Sequence, residues 1–189
     1  MTVKIGIPRA LLFYNFIPFW KTFFSEIGAE TVVSGHTNKA ILHNGLRLSV
    51  DESCLPVKVA FGHIESLKNR VDYLFIPRLV SIFPREYICP KFLGFPDMVR
   101  QNVDGLPQII DTSINMYRRE RDMYRQFYQI GSRICGNPVK IALALKRATE
   151  EMKRFTARVE SGIHPDKAAP GGNCPGQVPR QLKRAWVAV

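Results

Sequence analysis

Val71-Asp72-Tyr73-Leu74-Phe75-Ile76 is a nearly continuous apolar run that Pro77 stops. A run of this kind suits a strand buried on both faces, and such strands belong to parallel sheets with helices on either side. The neighbouring sequence predicts the same architecture. A strand over Val3 to Ile7 is closed by Pro8, a helix runs from about Leu11 or Tyr14 to Ile27 and stops at Gly28, and Glu30 to Val33 reads as the next strand. Thr37 or Asn38 caps a short helix over Lys39 to Asn44 that Gly45 ends, with room for another turn of helix running to Val50. Pro56 suits the first position of a longer helix, in which Val57, Ala60, Phe61, Ile64 and Leu67 recur at helical spacing. Residues Arg78 to Phe92, with Pro84 and Pro90 and no clear period, read as a long loop. Beyond it come a brief helix from Pro96 to Gln101, a fourth strand from Gln108 to Asp111, and helices over Tyr117 to Ile130 and Pro138 to Val159.

Strands alternating with helices predict a three-layer α/β fold: an open, mostly parallel sheet of about four strands with helices on both faces, followed by a C-terminal helical segment. At 189 residues the chain buries roughly 70% of its unfolded surface, enough for one core. One domain is expected over residues 1–162, and the Pro/Gly-rich residues 163–189 are expected to be disordered. No stretch offers the roughly 20 uninterrupted apolar residues of a membrane span, and the N-terminus lacks a signal-peptide core. A cytoplasmic protein without a membrane partner is the expectation.

In such folds ligands bind beyond the carboxyl ends of the strands, which directs attention to the loops that start at Pro8, Ser34, Pro77 and Asp111. Four cysteines, at 54, 89, 135 and 174, are too few and too widely spaced for a disulfide framework. Cys54 precedes Leu55-Pro56 and a predicted helix whose first amides favour an anionic sulfur, and Cys89 directly precedes Pro90. Thiolates in such loops hold iron-sulfur clusters. The separation of 35 residues without a C-x-x-C is equally compatible with two buried cysteines acting as small hydrophobes. Cys135 and Cys174 read as structural or incidental. His63, beside an apolar stripe, reads as a packed or capping histidine, and His36 and His43 have no partner at zinc-site spacing. Arg9 follows the first strand, and Arg78 and Arg85 flank the long loop; the three read equally as anion contacts at the ligand edge and as solvated surface arginines.

Neither G-x-G-x-x-G nor G-x-x-x-x-G-K-[ST] occurs, so the chain carries no common phosphate-loop signature and does not read as an ATPase. The formal charge is +11, and Arg118 to Glu160 alone carries 11 basic against five acidic residues. There Tyr117, Tyr124, Phe127 and Tyr128 fall at helical spacing with Met123 and Ile130, which favours a helix packed on one face and solvated on the other over a nucleic-acid surface.

The ordered blocks Lys4-Ile5-Gly6-Ile7-Pro8-Arg9-Ala10-Leu11, Ser34-Gly35-His36-Thr37-Asn38-Lys39, Glu52-Ser53-Cys54-Leu55-Pro56-Val57-Lys58, Gly62-His63-Ile64, Asp72-Tyr73-Leu74-Phe75-Ile76-Pro77-Arg78, Cys89-Pro90-Lys91 and Gly94-Phe95-Pro96-Asp97 resemble the acyl-CoA dehydratase activase-related family. Its members occur alone or fused to the ATP-dependent activase of 2-hydroxyacyl-CoA dehydratases, and the resemblance spans roughly Val3 to Arg158. It implies a lobe similar to one half of the dehydratase subunits and double-cubane cluster proteins. Cys54 and Cys89 fall on the family's Cys-Leu-Pro and Cys-Pro positions and are thereby implied as ligands of an iron-sulfur cluster, of 4Fe-4S or double-cubane type. Arg9, Lys58 and Arg78 are implied to act by charge on an anion or a partner. In relatives, a partner's ATP hydrolysis drives a low-potential electron into such clusters. The recognisable sequence stops near Arg158, so the chain reads as a truncated lobe, with the tail as a candidate frameshift product. Two cysteines do not complete a four-ligand site, and a missing second lobe, a second protomer or Cys135 would supply the rest. The implied partners are an activase-like protein or that lobe, with homodimerisation as the alternative. A cluster-free α/β binding or assembly domain is the competing reading.

Overall fold

The computed structural model describes residues 2–82, 85–115 and 121–165. The elements run β1 (Lys4–Ile7), α1 (Phe13–Ile27), β2 (Glu30–Val33), α2 (Lys39–Leu48), α3 (Leu55–Leu67), β3 (Tyr73–Phe75), β4 (Arg78–Ser81), α4 (Pro90–Asn102), β5 (Gln108–Ile110), β6 (Ser113–Asn115), α5 (Arg121–Ile134) and α6 (Pro138–Glu160). The main sheet has the order β2-β1-β3-β5, and every pairing in it is parallel, with Ile5 opposite Thr31 and Tyr73, and Leu74 opposite Ile109.

Side-chain alternation along the strands divides the interior into two cores. Ile5, Ile7, Phe75 and Ile110 point to one face, where they meet α1, Phe127 and Ile130 of α5, and Ile141, Ala144 and Ala148 of α6. Leu74 and Ile76, with Val32 and Ile109 beside them, point to the other, against α3 and Phe95, Val99 and Val103 of the α4 region. The sheet is therefore a middle layer between α1, α5 and α6 on one side and α3 and α4 on the other. This is the predicted three-layer α/β fold with its C-terminal helical pair.

Three elements differ from the sequence expectation. Helix α2 does not stop at Gly45 but continues to Leu48, because Gly45 serves helix packing and not termination. A Cβ on Gly45 would stand 2.0 Å from the Lys58 carbonyl oxygen, and one on Gly62 1.9 Å from that of Ile41. These opposed contacts show that α2 and α3 run antiparallel with their backbones touching. The expected loop from Arg78 to Phe92 begins as β4 and ends inside α4. β4 pairs in parallel with β6, a three-residue strand too short to carry a sequence signal. Helix α4 starts at Pro90, six residues before the predicted Pro96; the latter lies inside the helix and forfeits one backbone hydrogen bond. The predicted disorder of the tail concerns residues that, from 166 on, lie outside the described ones, as do Cys174 and Tyr117.

Candidate functional site

In a parallel sheet each connecting helix carries the chain back to the amino edge, so its own N-terminus lies at the carboxyl edge. Cys54 is the N-cap of α3, which leads to β3, and Cys89 is the N-cap of α4, which leads to β5. Parallel topology thus sets both cysteines at the same edge of the sheet although 35 residues separate them. Pro56 and Pro90 occupy the first helical turns, where a missing N–H costs nothing. Both thiols are exposed and free, and neither helix has a side-chain cap at its N-terminus. The positive ends of two helices therefore point outward beside the sulfur atoms. Lys91 Nζ, in the first turn of α4, donates to the Glu52 carbonyl at 3.1 Å and ties the two cysteine-bearing loops together. Lys58 lies in the first turn of α3, its amide bonded to the Cys54 carbonyl at 3.1 Å.

Cys135 lies elsewhere. It follows α5 and packs against the core on the α1 face. A Cβ on Gly131 would touch Ile141 and Phe23, and one on Gly28, at the C-terminal end of α1, would lie 3.4 Å from Lys140 Nζ. These contacts set the α5–α6 junction at the amino edge, across the sheet from Cys54 and Cys89. Among the described residues no group of three or more His, Cys, Asp or Glu side chains is arranged to hold a metal.

The crevice between the carboxyl ends of β1 and β3, where connections diverge to opposite faces, is the usual ligand position in such sheets. Here Leu11, Leu12, Trp20, Phe92 and Phe95 fill it, leaving about 40 Å³. That space holds no more than a few water molecules, which moves the accessible chemistry outward to the loops.

Two polar networks support those loops, and neither was visible in the sequence. His63, on α3, is fully buried; its Nδ1 lies 2.9 Å from Ser34 Oγ and its Nε2 3.0 Å from Thr37 Oγ1. The Arg9 backbone N–H donates to Ser34 Oγ at 2.7 Å. A consistent proton order runs from Arg9 N–H to Ser34, from the Ser34 hydroxyl to Nδ1, and from Nε2–H to Thr37, which assigns the neutral Nε2–H tautomer. Burial, and then the Arg9 charge, lower the His63 pKa from 6.5 to about 4. His63 is thus the packed histidine the sequence predicted, and it pins the loops after β1 and β2 to α3. The Arg9 guanidinium lies 3.2 Å from His36 Nε2 and 5.4 Å from the centre of the Phe13 ring.

Arg78 is the centre of the second network. It makes a two-pronged pair with Asp97, donates from Nε and Nη2 to Asp111 at 3.2 and 3.0 Å, and reaches the Leu93 carbonyl at 3.3 Å. Arg100 adds contacts to Asp97 at 3.1 Å and to Asp111 at 2.9 Å. The Asp97 hydrogen bonds hold the Arg78 proton more tightly than usual, outweighing burial, with Asp111 adding to the effect. The Arg78 hydrogen bond likewise lowers the Asp97 carboxyl, and at Asp111 burial pushes upward but is outweighed by Arg100 and Arg78, so this carboxyl too is lowered. The guanidinium expected as an anion contact is engaged with the protein's own carboxylates, and it fastens α4, and with it Cys89, to the ends of β4 and β5. Arg85 is exposed, on the segment before Cys89.

No helix among the described residues is long and apolar enough to cross a membrane. No curated protein and no solved structure matches the chain. A family model described as the CoA enzyme activase uncharacterised domain matches residues 4–168, a span that takes in the whole sheet, both cysteine loops and α6. By that match over most of its length, the chain belongs to the CoA enzyme activase uncharacterised domain family.

Proposed function

We propose that this domain is an iron-sulfur electron-transfer module of a CoA-enzyme activation system, with Cys54 and Cys89 as thiolate ligands at the carboxyl edge of the sheet. The observation that carries the reading is the shared position of the two thiols: both exposed, both N-caps of helices on the same edge, their loops joined by Lys91 and Glu52. Exposed thiols with uncapped helix amides beside them suit a cluster, whose sulfur atoms accept backbone hydrogen bonds and whose net negative charge is stabilised by helix N-termini. A bound 4Fe-4S or double-cubane group would supply a one-electron redox centre. The chain's own residues would hold it: Cys54 and Cys89 by ligation, Lys58 and Arg9 by charge, and Arg78 by fixing α4.

Two thiolates furnish half of a four-cysteine set. With Cys135 at the opposite edge, the remaining ligands come from a second lobe or protomer. Exposed Leu55 (60%) and Tyr87 (68%) beside the cysteines are the apolar contacts such a covering surface would use. An ATP-dependent activase-like protein is the expected electron donor, working in the cytoplasm, where thiols stay reduced. The test is low-temperature EPR of anaerobically reconstituted, dithionite-reduced protein. A cluster signal that disappears in both Cys54→Ser and Cys89→Ser supports the reading. The same signal in both variants would show that other residues hold the iron.

A further inference from the structure

Helix α6 has 23 residues and lies with α1 on the sheet face opposite the cysteine-bearing helices, so its outer surface is separate from the candidate cluster site. At 100° per residue Ile141, Ala144, Ala148 and Phe155 turn to the core. On the outward half stand Val139, Leu143, Lys146 and Lys153, with Arg147 and Arg154 along its flank, all exposed, and Glu150 is the sole carboxylate of that stripe. The stripe extends about 22 Å from Val139 to Arg154. Arg147 and Arg154 have intramolecular pairs, with Glu26 at 2.6 Å and Glu151 at 3.6 Å, whereas no carboxylate among the described residues pairs with Lys146 or Lys153. Val139 and Leu143, one turn apart, are 66% and 50% exposed.

We propose that this outer face of α6 is a docking surface for an acidic protein partner. A basic stripe calls for negative charge, and complementarity of this kind sets encounter rate and orientation. The two exposed aliphatic side chains at one end of the stripe decide between polyanions. A protein surface offers them apolar contact, whereas a phosphate backbone offers none, and Glu150 at mid-stripe repels phosphate.

The probes are a fluorescent glutamate–tyrosine copolymer, poly-glutamate of equal length, and a DNA duplex of equal charge, titrated by anisotropy at 150 mM salt. The double variant Lys146→Glu/Lys153→Glu is compared with Arg47→Glu/Arg70→Glu, which lowers the net charge equally at exposed residues outside α6. Circular dichroism confirms that each variant is folded. The docking surface predicts tightest binding of the glutamate–tyrosine copolymer, a loss of about tenfold on reversal in α6, and a loss of at most about twofold in the control pair. Leu143→Ser should remove the preference for the tyrosine-containing polymer. Equal losses in both charge-reversed pairs, tighter binding of DNA, or no binding of the copolymer would each overturn the proposal.

Discussion

His63 ties together three segments that are distant in sequence, and its ionisation is linked to folding. In the unfolded chain an imidazole titrates near 6.5, and in the fold His63 titrates at about 4. Between those values the unfolded state binds more protons, so the stabilisation is complete above pH 6.5 and is lost as pH falls toward 4. Urea unfolding should show about 2 kcal/mol less stability from this group at pH 5 than at pH 7.5. In His63→Leu that difference should vanish. The variant should also be less stable at pH 7.5 by about 1–3 kcal/mol, since Ser34 and Thr37 lose their partner. A slope unchanged in the variant would assign the pH dependence to other groups. Little of this network was legible beforehand. Nothing in Phe61-Gly62-His63-Ile64 names Ser34 as a partner, because the pairing depends on α3 packing beside the end of β2. The engagement of Arg78 was hidden for the same reason, since Asp97 and Asp111 reach it only once α4 and β5 are folded.

Among the elements, α2 and α3 show how one residue type carries opposite meanings. Glycine in a helix interior normally costs up to about 1 kcal/mol relative to alanine. Gly94, inside α4, has open space where a Cβ would stand, so Gly94→Ala should stabilise the protein by about 0.5–1 kcal/mol. Gly45→Ala and Gly62→Ala would drive a methyl group into a carbonyl oxygen of the facing helix. Each should destabilise by about 2–4 kcal/mol despite the better helix former. Thermal melts of the three variants decide it, and a stabilising Gly45→Ala would refute the close helix crossing. The sequence predicts a helix stop at Gly45 because glycine marks termini far more often than crossings. Pro96 misleads in a similar way: a proline suggests a helix start, and Pro90 occupies that position instead. The long amphipathic α1 and α6, by contrast, fall close to their predicted bounds, since many residues contribute to each period.

For the molecule as a whole, the apolar run ending at Pro77 and the alternation of strand and helix were sufficient for the three-layer architecture. Fold class follows from burial pattern, which sequence records residue by residue, and the parallel order follows from the crossovers. The same logic accounts for the candidate site. Cys54 and Cys89 share an edge because each stands at the N-terminus of a helix in a parallel sheet; for Cys54 that placement was readable from Leu55-Pro56, whereas Cys89 read as part of a long loop and became an N-cap only with the start of α4 at Pro90. The tie from Lys91 to Glu52, the filled crevice and the remoteness of Cys135 required the folded chain.

Iron and acid-labile sulfide per chain, measured after anaerobic purification and reconstitution of the wild type, Cys54→Ala and Cys89→Ala, test the central claim most directly. Two exposed N-cap thiols acting as ligands predict iron and sulfide in equal amounts in the wild type and their loss from both variants. Melting temperatures should stay within a few degrees of the wild type, because exposed side chains contribute little to the core. Iron retained by both variants, or none bound by the wild type even after reconstitution at high protein concentration, would contradict the account.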